Sequence, residues 1–156
     1  MKCRLIAAGT RLPDWINAGF HDYQKRLKRP ISIELVEIPV ANRTAGSSAA
    51  QAIDKESRAM LAALAKDDHV VALEVTGRAM STAELAAWLS MRMREGGDVA
   101  FLIGGPDGLG PAIRQRAACD WSLSRLTFPH ALVRVMLAEQ LYRAASLIAG
   151  HPYHRA

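Results

Sequence analysis

Only two cysteines occur in this sequence, Cys3 and Cys119, far apart and in no Cys-x-x-Cys spacing. That excludes a disulfide framework and a thiolate metal site, and each reads as a small buried side chain in a reducing, cytoplasmic compartment. No apolar run approaches the ~18 residues of a membrane span. The opening Met1-Lys2-Cys3-Arg4-Leu5-Ile6-Ala7-Ala8-Gly9 has too short an apolar core for a signal peptide and reads as a first buried strand. The Gly-x-x-x-x-Gly-Lys-Ser/Thr phosphate loop is missing, as is any pair of metal-binding carboxylates, which sets aside a nucleotide hydrolase. No Gly-x-Ser-x-Gly is present either, so nothing suggests a serine hydrolase. His151 and His154 come without the Cys or carboxylate pattern a metal centre needs, and no metal is expected.

What the sequence does contain is organised around Val99 to Pro111. Val99 to Ile103 is a continuous apolar run of strand length, the pattern of a strand buried on both faces. It breaks into a loop with glycines at 104, 105, 108 and 110, and Pro111 then suits the first turn of a helix through Ala118. Such a turn leaves backbone N–H groups open to close approach by a ligand. The order Gly105-x-x-Gly108-x-Gly110 is not the dinucleotide fingerprint, and it falls late in the chain. Read alone, the loop is equally a tight strand-to-helix turn with no ligand.

Hydrophobic residues make up 50% and charged residues 22% of 156, the balance of one globular domain with a real core, which we place at residues 1–156. The net charge of +5 favours a polyanionic partner. It arises from clusters within structured segments: Lys25 to Arg29, Arg92 with Arg94, and Arg114 with Arg116. Any one of these also suits a solvated helix face.

Along the chain, Lys2–Ala8 reads as a strand. A helix follows from Pro13 to about Lys28, with Trp15, Ile16, Phe20, Tyr23 and Leu27 on its apolar side. Ile31–Ile38 alternates as a second strand, and a loop over 39–48 carries Asn42, Arg43 and Gly46. A helix to about Ala65, a central strand Val70–Val75 and a helix behind the Ser81-Thr82-Ala83-Glu84 capping box come next. Strands alternating with helices predict an α/β fold with a mostly parallel sheet flanked by helices.

A short strand near Leu123 leads into an irregular segment containing Ser122, Ser124 and Thr127, whose hydroxyls suit turn backbone. The last helix, Ala131 to about Ala149, is apolar over more than one face. That width suits a subunit interface, and a homodimer is the simplest form of it. The chain then closes on His151-Pro152-Tyr153-His154-Arg155-Ala156, chemically rich for a terminus.

Taken together, Leu102-Ile-Gly-Gly-Pro-Asp-Gly-Leu109, Trp121-Ser-Leu-Ser-x-Leu-Thr-x-Pro-His130, Leu132-Val-Arg-Val135, Glu139-Gln-Leu-Tyr-Arg143 and the closing His-Pro-Tyr-His-Arg form a pattern. It resembles the bacterial large-subunit ribosomal RNA pseudouridine N3-methyltransferases of the SPOUT class, over the whole chain. Asp107 stands where that family has Glu, and Ala156 where it often ends in an acid. The resemblance implies a deep C-terminal trefoil knot, a topology that connection rules make a rare exception. It implies S-adenosylmethionine held by Leu73, Gly104, Gly105 and the run Leu123, Ser124, Arg125, Leu126, Thr127 and Phe128. Ribosomal RNA of the large subunit is the implied partner, and N3 of a pseudouridine the methyl acceptor. That imide nitrogen is protonated at neutral pH and needs a base or stabilisation of its anion. Tyr153, His154 and Arg155 are the expected catalytic group, His154 taking the proton and Arg155 steadying negative charge or a phosphate. With so little surface per chain, two copies are expected to build each site. A non-catalytic ribosome- or RNA-binding protein is the alternative, and it predicts no affinity for S-adenosylmethionine.

Overall fold

A computed structural model describes residues 1–41 and 48–155, leaving aside the side chains of His154 and Arg155. Asn42, Arg43 and Gly46 of the expected loop lie outside the described residues. The elements in order are β1 Lys2–Ala8, α1 Asp14–Arg26, β2 Ser32–Ile38, α2 Ala49–Ala62, β3 His69–Ala79 and α3 Thr82–Glu95. They continue with β4 Val99–Ile103, α4 Pro111–Arg116, β5 Cys119–Ser122, α5 His130–Ile148 and a single 3-10 turn, Pro152–Arg155.

All neighbouring strands pair in parallel, in the order β2-β1-β4-β3-β5. Side-chain alternation splits the core in two. Leu5, Val71 and Phe101 point to the face covered by α1, α3 and α5, where Phe20, Leu89, Leu137 and Leu141 meet them. Ile6, Ala72 and Leu102 point to the other face, against Met60 of α2 and Ile113 of α4. Every residue of β4 is buried, as a strand packed on both faces requires.

Local chemistry sets most of the boundaries. Ser81 accepts from the Glu84 N–H at 3.2 Å and the Glu84 carboxylate accepts from the Ser81 N–H at 2.7 Å, closing the expected capping box on α3. Ser48 and Gln51 form a second such box on α2, whose Gln in place of an acid made it less visible in the sequence. β3 runs four residues beyond its expected end. It pairs with β5 through a register shift between Leu73 and Arg78, and Gly77 permits it: a Cβ there would lie 2.6 Å from the Trp121 backbone. Burial in β1 pushes the Cys3 thiol up to about 12, so it stays protonated.

Two helices differ from the reading of their periodicity. On α1, Ile16 and Phe20 are buried but Trp15 is 62% exposed, because the next residue along, a hundred degrees around the helix, takes the core position. On α5 the innermost side chain is a charged one. Arg134 is fully buried with Leu137, Ala138, Leu141 and Ala144, while Val133, Val135, Met136, Tyr142 and Leu147 remain partly exposed.

The Arg134 guanidinium donates to the carbonyls of Ala8 at 2.8 Å and Gly9 at 2.6 Å, and to the Glu37 carboxylate at 2.7 Å. It therefore satisfies the carboxyl end of β1 and ties α5 to both β1 and β2. Removing one member of a buried charged network costs about 3–5 kcal/mol. We expect Arg134→Ala to lose that much stability in urea denaturation. Arg134→Lys should recover little of it, since an ammonium lacks the planar fork. Glu37→Gln, at a side chain 35% exposed, should cost clearly less.

Candidate cofactor-binding cleft

Three chain segments meet at the carboxyl end of β4 and enclose a cleft of about 580 Å³. The middle of β3, where its pairing with β4 stops and its register with β5 shifts, gives Leu73, Glu74 and Val75; the loop after β4 gives Gly104, Gly105, Pro106 and Gly108. The passage from β5 into α5 gives Trp121 through Ser124, then Leu126 to His130, with Val133 one turn into the helix.

The glycines are there for closeness. A Cβ on Gly104 would lie 2.6 Å from the Gly108 carbonyl carbon, so the loop can fold back on itself only with hydrogen at that position. Gly108 sits at φ +81°, donates to the Gly105 carbonyl at 3.0 Å, and so closes the turn. Gly110 is crowded from another side, where a Cβ would meet Ser57 Oγ at 2.5 Å. The loop thus presents backbone to the cleft and packs its back on α2. Gly104→Ala is expected to cost about 1–3 kcal/mol by overpacking, read as a lower midpoint in thermal or urea unfolding.

On the facing wall, turn chemistry consumes the serine hydroxyls. Ser122 donates to the Ser124 carbonyl at 2.8 Å, and Ser124 Oγ accepts from the Leu126 N–H at 3.0 Å. What remains toward the cleft is apolar surface from Leu123, Leu126, Phe128 and Val133, together with main-chain groups. Leu126 is 70% exposed at the cleft mouth. Glu74 stands at the rim, its carboxylate accepting from Arg114 Nε at 3.1 Å.

The sequence-expected residues divide between two places. Leu73, Gly104, Gly105, Leu123, Ser124, Leu126, Thr127 and Phe128 line the cleft together. Arg125 belongs to the same loop and is exposed, but it is not part of the lining. Glu74, Val75, Pro129, His130 and Val133 line the cleft too. Pro129 and His130 close the Trp121-to-His130 motif and Val133 falls in Leu132-Val-Arg-Val135, whereas Glu74 and Val75 carried no signal.

Tyr153 lies elsewhere, beside a smaller hollow of about 310 Å³ between α1, α3 and α5. Its hydroxyl is 3.5 Å from that of Tyr23 and 3.5 Å from the Glu139 carboxylate, and both of those residues line the smaller hollow. Its ring meets Tyr142 edge-on at 4.6 Å, with the Arg143 guanidinium 5.2 Å from its centroid. The side chains of His154 and Arg155 lie outside the description. The two hollows share Trp121, Ser122 and Leu123 as a common wall.

The hydrogen bond with Tyr23, then burial and the nearby Glu139 charge, push the Tyr153 phenol up to about 12. It is a hydrogen-bond donor at neutral pH, not a base. Its folded value lies above the ordinary 10.0, so its contribution to stability is complete below that pH and is lost as pH rises through about 12. A rapid pH jump followed by phenolate absorbance should show one tyrosine titrating near 12, and Tyr153→Phe should remove it.

Among the described residues there is no group of three or more His, Cys, Asp or Glu placed to hold a metal, and no helix long and apolar enough to cross a membrane.

A family model described as a predicted SPOUT methyltransferase matches residues 1–154. The chain belongs to the SPOUT methyltransferase family. Among its relatives are proteins called Ribosomal RNA large subunit methyltransferase H. That of Alkalilimnicola ehrlichii is 54% identical over 156 residues, all of both chains. That of Xanthomonas campestris is 53% identical over the same span. That of Chromohalobacter salexigens is 52% identical over 99% of this chain and all of its own. Solved structures share the fold at low identity. A methylase family protein from Haemophilus influenzae aligns with a TM-score of 0.54 at 11% identity, covering 97% of this chain and 69% of its own. One from Neisseria gonorrhoeae aligns at 0.51 and 15%, covering 90% and 81%.

Proposed function

We propose that this protein is an S-adenosylmethionine-dependent methyltransferase that modifies N3 of a pseudouridine in large-subunit ribosomal RNA. The observation that carries the reading is the meeting of three glycine-rich or apolar segments in one cleft. It is found in a chain more than half identical, end to end, to proteins named for that RNA.

The cleft suits a nucleoside cofactor. Its volume is in the ordinary range for small-molecule sites, and it opens at the carboxyl ends of parallel strands. Leu73 and Leu123 with Leu126 offer apolar walls for the two faces of a purine. The bare backbone at Gly104 and Gly105 and along 123–128 offers N–H and C=O groups for its edge. When bound, S-adenosylmethionine supplies an electrophilic methyl group. The chain's own task is then to hold the acceptor ring and to manage the imide proton. Tyr153, held protonated, is the proposed donor to a carbonyl of the ring as charge builds there, its one O–H leaving the Glu139 carboxylate to do so. His154 is the proposed proton acceptor, and Arg155 the proposed counter-charge.

Tyr153 stands beside the smaller hollow and outside the cleft of its own chain. That separation supports a homodimer in which the tail of one copy serves the cleft of the other. The half-exposed apolar side chains of α5 supply a surface for such pairing. A knotted passage from β5 to α5 also fits the path of the chain. β5 is at the sheet edge beside β3, yet α5 is tied to β1, so residues 123–129 carry the chain back across the carboxyl edge of the sheet, which supports such a passage. We place the activity in one domain spanning residues 1–156, in the cytoplasm, without a metal.

Calorimetry should detect S-adenosylmethionine binding, and mapping of a labelled methyl group after incubation with ribosomes should find it on a large-subunit pseudouridine. In single turnover, His154→Ala should slow transfer by about 10²–10⁴-fold, with cofactor affinity unchanged. No binding of S-adenosylmethionine would leave the non-catalytic RNA-binding alternative. Wild-type rates for both His154→Ala and Arg155→Ala would remove the tail from the chemistry.

A further inference from the structure

The cofactor reading leaves the outer rim of the cleft unexplained. Trp15 and Leu126 are 62% and 70% exposed, the two most open large apolar side chains among the described residues. Each is close in sequence to a bare cation, Arg11 and Arg125. Both of these are exposed, and neither makes an ion pair with a described residue. Arg26 and Arg114, by contrast, hold Asp22 and Glu74, while Arg29 and Arg94 share the lack of an ion pair with a described residue but have no exposed apolar side chain of comparable openness beside them.

One pair belongs to the cleft loop, and the other lies on the turn and helix start that touch the cleft's His130 wall. A Cβ on Gly9 would lie 3.4 Å from His130 Nε2 and 3.6 Å from Leu12 Cδ2, so the β1–α1 turn abuts the His130 wall of the cleft. Trp15 follows Leu12 by three residues, a reach of at most about 11 Å. Leu126 is itself part of the cleft lining, with Arg125 beside it in the same loop.

We propose that this rim seats the RNA substrate as an unpaired strand, with Trp15 stacking on a base beside the target and Arg11 and Arg125 holding phosphates. The proposal rests on the methyltransferase reading for the identity of its polyanion. Alternating cations and flat or apolar groups are what a single strand requires, because every base has a stacking face and every linkage a charge. A duplex would need only the cations. A net charge of +5 makes approach of such a strand favourable at long range.

The test is binding of the full-length protein to purified bacterial large ribosomal subunits as a function of KCl concentration. Trp15→Ala should weaken binding about tenfold, the low end of what loss of one stacked base costs, and Trp15→Phe should restore most of it. Arg11→Ala and Arg125→Ala should each lower the slope of log affinity against log salt by about one. Calorimetry on the Arg11 and Trp15 variants should give the wild-type affinity for S-adenosylmethionine, and sedimentation the wild-type mass. Unchanged subunit binding in these variants would overturn the proposal. So would a Trp15→Ala protein that weakens only because an oligomer has dissociated, since Trp15 would then be a subunit contact. Intact rim-dependent RNA binding with no S-adenosylmethionine binding would uphold the rim and sink the enzyme.

Discussion

A guanidinium sealed under a strand end governs how this fold closes. The carbonyls that close β1 lie past its pairing with β4, which stops at Ala7. Arg134 takes those of Ala8 and Gly9 and spends another N–H on Glu37 of β2. Desolvating a cation is expensive, and the cost is offset only because several acceptors converge on it. That convergence requires the chain to turn away sharply after β1, which Gly9 does at φ +110°. A side chain there would press on Arg134 Nη2 at 3.2 Å and on His130. Arginine and glycine are therefore one device. Because Arg134 is in the first turns of α5, the same contacts fix where His130 and Val133 stand. The far wall of the cleft is positioned by a bond made outside it.

Much of this was legible from residue pattern because it is local. Val99–Ile103 is apolar at five successive positions and forms the strand buried on both faces, with the same ends. Ser81 and Glu84 carry their own capping geometry at a spacing of three, and no distant contact alters it. What did not show is whatever depends on which elements become neighbours. The order β2-β1-β4-β3-β5 is not written in periodicity, since each strand is apolar enough for several places. The extra length of β3 comes from β5, through a glycine that only the partner's backbone explains. Helical spacing admitted Trp15 to the apolar side of α1, yet the sheet is reached by Ile16 and Phe20. Arg134 reads as a surface charge on an apolar helix until the carbonyls of β1 are placed beneath it.

The cleft was readable for a related reason. A buried strand running into glycines announces that backbone must be approached, though not by what. Gly104 is explained first by Gly108, an intramolecular closeness that would exist without a ligand. The serines of the facing loop likewise serve their own turn. The ligand-facing surface is what is left once the segments have satisfied themselves. It is apolar on its walls and main-chain polar at its edges, a division suited to a heterocycle with a flat face and a hydrogen-bonding rim.

The helix α5 then sets a distance that bears on how the chemistry is assembled. Val133 lines the cleft, whereas Glu139 and Tyr142, which hold Tyr153, come six and nine residues later on the same rigid rod. At 1.5 Å per residue that is roughly 9–14 Å along the axis. The tail returns along α5 after Gly150, at φ +67°, and is docked by Tyr23, Glu139 and Tyr142 well down from the cleft mouth. Methyl transfer demands contact distance between donor and acceptor, and its proton must leave within hydrogen-bond reach. Tyr153 and the cleft of one chain are thus held apart, which supports the homodimer proposed above, in which the tail of one copy serves the cleft of the other.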